Sequence, residues 1–123
     1  MNRRLYVDYL RDMLEAIDDA LRFTDGMTEE QFLADRKTAY ATLRAVEIVG
    51  EAVKHILDSV RERCPGVPWR DMAGLRDVVA HQYHRVDMGV VWVTVRDRLP
   101  SVRSDIESSV REEDRHGGGP GRK

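Results

Sequence analysis

Apolar residues recur along this chain at helical rather than strand spacing. Leu5, Tyr6, Leu10, Met13, Leu14, Ile17 and Leu21 fall every third or fourth position with Asp and Arg between them, which predicts an amphipathic helix over residues 3–23. Gly26 ends it. Thr28 followed by Gln31 is a capping-box pattern, and behind it runs a stripe of Phe32, Ala39, Leu43, Val46, Gly50, Val53, Leu57 and Val60. Read as one unbroken helix, this segment spans about 54 Å at 1.5 Å per residue, longer than a compact domain of this size is wide, so one face is expected to meet a second copy of the chain. Gly50 within the stripe suggests close approach of another helix. Cys64, Pro65, Gly66, Val67 and Pro68 form an interior linker, and Pro68 is placed to open a third helix from Trp69 to about His84. Asp87 can cap a fourth, with the stripe Met88, Val91, Trp92, Val95, Leu99, Val102, Ile106 and Val110. Two features strain that last helix. Val90 to Val95 has high strand propensity, and Pro100 predicts a kink or a restart.

The pattern therefore describes an all-α protein, a bundle of four to five helices in one domain over residues 1–114, with a tail over 115–123 too rich in Gly to order by itself. A length of 123 residues fits one domain. Cys64 is the single cysteine, so no intrachain disulfide or cysteine zinc cluster can form, which suits a reducing cytosol. The opening MNRRLYVDYLRD lacks the apolar run of a signal peptide, and no segment is apolar enough to span a bilayer; a cytoplasmic location is expected.

Net charge changes the picture only when it is divided along the chain. Its total of −2 argues against a protein that grips nucleic acid by bulk positive charge. Residues 1–60, 61–103 and 104–123 carry −4, +3 and −1, so the positive part surrounds the third helix. A phosphate would be held there.

That helix also holds the densest chemistry, Gly74-Leu75-Arg76-Asp77-Val78-Val79-Ala80-His81-Gln82-Tyr83-His84. At about 100° per residue, Arg76 and Tyr83 share one side, and Asp77, His81 and His84 cluster on another. Arg76 offers a fixed fork of donors matched to phosphate oxygens. His81 can take or give a proton near neutral pH, and Asp77, one turn earlier, is placed to accept a ring N–H from it. Such a set suits attack by an RNA 2′-hydroxyl on its phosphodiester. One imidazole serves both ends of that reaction poorly, whereas a two-fold dimer supplies a second His81. Asp77, His81 and His84 also have the spacing of a one-helix metal face, but three ligands without a cysteine are a poor cage, and neither a metal nor another cofactor is expected. On the second helix Glu47, Glu51 and His55 recur every fourth residue beside Arg44 and Lys54. This set could bind a cation, though such runs are more often solvated faces with i, i+4 pairs. Trp69 and Trp92 read as packing residues.

Arg76, His81 and Tyr83 resemble the R-x4-H-x-Y signature of the HepT-like toxins, members of the HEPN superfamily of helical ribonucleases. The likeness extends over roughly residues 3–110, through Arg44 to Lys54, Val67 to Arg76, Val86-Asp87 with Val91-Trp92, and Leu99-Pro100. It implies a HEPN-type bundle that forms a two-fold dimer with the two motifs facing one cleft. It implies metal-independent cleavage of RNA with Arg76 and His81 as the active-site pair, and Asp77 and Tyr83 in support. It further implies a toxin–antitoxin pair whose partner, an MNT-type nucleotidyltransferase, neutralises the toxin by adding AMP to Tyr83. One departure is Asp77, where relatives commonly carry Asn. An acid beside the cleft repels RNA phosphate unless His81 or Arg70 ties it down. The alternative is a non-catalytic HEPN module that serves a nucleotidyltransferase or nucleotide as scaffold or substrate.

Overall fold

The computed structural model describes residues 3–56, 58–63, 65–67, 69–70, 72–73 and 87–117, and all regular structure among them is helical. Helix α1, Arg3–Phe23, buries Val7, Leu10, Met13, Ala16, Ile17 and Ala20 along one side, while Leu14 and Leu21 sit half-buried at its edge. It stops at Thr24, whose hydroxyl donates to the Ala20 carbonyl at 2.9 Å and so competes with the next helical turn. Gly26 then takes φ +76°, a left-handed conformation that favours glycine.

The long second helix expected from the stripe is instead three helices. Helix α2, Glu29–Ala34, opens on the capping box: the Gln31 amide donates to the Thr28 hydroxyl at 3.1 Å, and the Thr28 amide to the Gln31 side chain at 2.9 Å. Asp35 breaks the run, with φ −104° and ψ 88°, and caps α3, Arg36–Val53, by accepting from the Thr38 amide. Helix α3 ends at Val53, and the chain turns through Lys54 to Ile56 before α4, Asp58–Arg63. Arg61 closes this turn by donating to the carbonyls of Val53, at 2.8 Å, and Ile56, at 3.2 Å. Val53 ends α3, so its carbonyl lacks an intrahelical donor and is served by Arg61 and by the Ile56 amide at 3.1 Å. Apolar periodicity persisted across both breaks because α2, α3 and α4 all face the same core, through Phe32, Ala39, Val46, Val53 and Val60. At about 27 Å, α3 is only as long as a compact domain, so the length argument for a partner surface falls.

Residues 65–67 turn against the last helix: a Cβ placed on Gly66 would meet the Asp105 carboxylate at 3.8 Å. Residues 69–70 and 72–73 are helical, as expected of a helix opening at Trp69. Helix α5, Met88–Val93, takes up the segment with strand propensity, because Asp87 accepts from the amides of Gly89, at 2.9 Å, and Val90, at 3.3 Å. A π turn, Thr94–Arg98, joins it to α6, Leu99–Gly117. Its cause is Pro100, which has no N–H and whose ring would crowd the carbonyl four residues back; widening the turn relieves that contact, and the Leu99 amide reaches Thr94 instead. The helix thus restarts at the expected place.

Helix α1 packs against both α3 and α6, and α2 fills the angle between α3 and α5. Ion pairs join α1 to α6: Arg11 grips both oxygens of Asp114 at 2.9 Å, and Arg103 binds Asp18 while also pairing with Glu107 of its own helix. The Asp18 carboxylate, by hydrogen bond and charge, raises the Arg103 pKa further above its already high value. Among the described residues, no helix is long and apolar enough to cross a membrane.

Candidate functional site

Arg76, Asp77, His81, Tyr83 and His84 lie outside the described residues, as does Cys64. What the structure does define is the framework on either side of residues 74–86. On the N-terminal side, Val67, Trp69 and Met72 are buried, and the Trp69 amide donates to the Val67 carbonyl at 2.8 Å. Burial of Trp69 and Met72 turns Arg70 outward, where it is exposed. On the C-terminal side the chain returns at Asp87, the cap of α5. That helix is held by Trp92, half-buried, whose ring lies 5.3 Å from the fully buried Phe32 at 42°. The Arg96 guanidinium lies 6.0 Å over the Trp92 ring and also donates to Thr24 at 3.1 Å. Both tryptophans pack, as the sequence suggested.

The polar set of the second helix lies on a solvent-facing run, with Arg44, Glu51, Lys54 and His55 exposed and Glu47 half-buried. Arg44 and Glu47 pair at 3.4 Å on α3. His55 follows the end of α3, and its ring stacks on Tyr9 of α1 at 4.3 Å, nearly parallel at 11°. Among the described residues, no three His, Cys, Asp or Glu side chains are grouped to hold a metal ion. Sequence reasoning missed both the Tyr9–His55 stack and the Arg61 closure of α3. Both depend on the turn after α3 that the apolar stripe concealed, Arg61 by reaching its backbone carbonyls and His55 by meeting α1.

A helical bundle with an arginine, a histidine and a tyrosine in R-x4-H-x-Y order, set in a segment anchored at Met72 and at Asp87, belongs among the HEPN-type proteins. The family described as ribonuclease HepT-like matches residues 13–109, from within α1 to within α6, and this chain belongs to that family. It is similar to the protein named "Probable ribonuclease HepT" of Thermococcus cleftensis, 43% identical over 105 residues, covering 85% of this chain and 96% of that one. It is also similar to "Putative RNase MJ1216" of Methanocaldococcus jannaschii, 37% identical over 112 residues, covering 91% and 93% of the two chains. No solved structure matches the chain.

Proposed function

We propose that this protein is a ribonuclease, and more finely a metal-independent endoribonuclease toxin that acts in the cytoplasm as a homodimer. The observation that carries this reading is the R-x4-H-x-Y order of Arg76, His81 and Tyr83 inside a segment covered by the HepT-like family match. In the reaction, a His81 imidazole takes the proton of a ribose 2′-hydroxyl as its oxygen attacks the adjacent phosphorus. The bond from phosphorus to the 5′-oxygen breaks, and that oxygen leaves with a proton from a second imidazole, giving a 2′,3′-cyclic phosphate and a free 5′-hydroxyl. The partner copy's histidine supplies the second imidazole. Arg76 places two donors on the non-bridging oxygens, where negative charge grows in the transition state. Asp77 acts through His81 as a positioning residue, fixing its tautomer.

Inhibition follows from the same arrangement. An MNT-type nucleotidyltransferase that adds AMP to Tyr83 would put negative charge and bulk beside Arg76 and occupy the place of the RNA phosphate. Purified protein in EDTA should cut RNA and leave cyclic phosphate ends, whereas Arg76→Ala and His81→Ala should each lose at least about a hundredfold in rate, the usual size of a lost transition-state charge contact for the first and of a general acid–base contribution for the second. Equal cleavage by wild type and both variants would assign the activity to a contaminant. Tight binding of a nucleotidyltransferase with Tyr83 modified, but no cleavage by the wild type, would favour the scaffold alternative to which Asp77 lends weight.

A further inference from the structure

No further inference is drawn: the strongest candidate, the exposed apolar surface of Leu33 on α2 and of Val90 and Val93 on α5, carries nothing because nothing in the structure shows what covers it.

Discussion

Phe32 is the side chain through which α2 supports the start of α5, and its removal is open to a worked estimate. The ring is fully buried and meets Trp92 at 5.3 Å. Truncation to alanine returns of order 150 Å² of apolar surface, which at ~25 cal/mol per Å² amounts to about 4 kcal/mol. The tilted ring pair adds about 1 kcal/mol, and partial collapse of the cavity takes some of this back. Phe32→Ala should therefore lose about 4 kcal/mol, a large share of the roughly 5–15 kcal/mol that holds a domain together. Urea unfolding followed by circular dichroism reads the loss as a lower midpoint at unchanged slope, and tryptophan fluorescence should shift in the native baseline as Trp92 loses its neighbour. Phe32→Leu, which refills most of the space, should cost about 1 kcal/mol. Leu33, its half-exposed neighbour, should tolerate alanine within about 0.5 kcal/mol. A loss below about 1 kcal/mol for Phe32→Ala would refute the packing of α2 between α3 and α5.

Two caps give further tests. Asp87→Ala removes the acceptor for the Gly89 and Val90 amides and should cost about 1 kcal/mol by urea unfolding, while Asp87→Asn, which keeps an acceptor oxygen, should retain most of it. Asp35 tests pH: the amide and hydroxyl of Thr38 hold its carboxyl below the ordinary value of 3.8. A group lowered in the folded state contributes stability above its unfolded value and loses it as pH falls through the folded one, so Asp35→Asn should flatten the acid limb of the urea midpoint below about pH 4. An acid limb identical to that of wild type would show that the cap carboxylate is not held in this way.

Side chains that face the core were legible from spacing alone, since burial repeats with helical period: Leu10, Met13, Ile17, Val46, Val95, Leu99 and Ile106 all stand where the stripes put them. The capping box of Thr28 and the cap of Asp87 were legible too, because each acts within one turn of its own residue. Breaks inside a continuous stripe were not. Asp35 interrupts α2 and α3 without interrupting the apolar face, and its own spacing to Thr38 is a cap signal that the stripe masks. Arg61 and the Tyr9–His55 stack depend on chain reversal and α1 packing, which no local pattern encodes. Of the candidate site, the order Arg76, His81, Tyr83 is legible because it lies in the sequence itself. The π turn shows the converse case, where Pro100 announced a fault and backbone sterics decided its form.

The two sides of the motif segment are held by different physics, and this bears on how the site is positioned. Before it, Val67, Trp69 and Met72 anchor by burial, which is strong but tolerant of small rotations about the helix axis. After it, Asp87 anchors by directed hydrogen bonds, weaker in total but specific in angle, at the first turn of a helix whose far side is fixed by Trp92 against Phe32. Burial thus sets the depth of Val67, Trp69 and Met72 in the core, and directed bonds set where α5 begins. Trp69→Ala should consequently lose more stability by urea unfolding than the about 1 kcal/mol expected of Asp87→Ala.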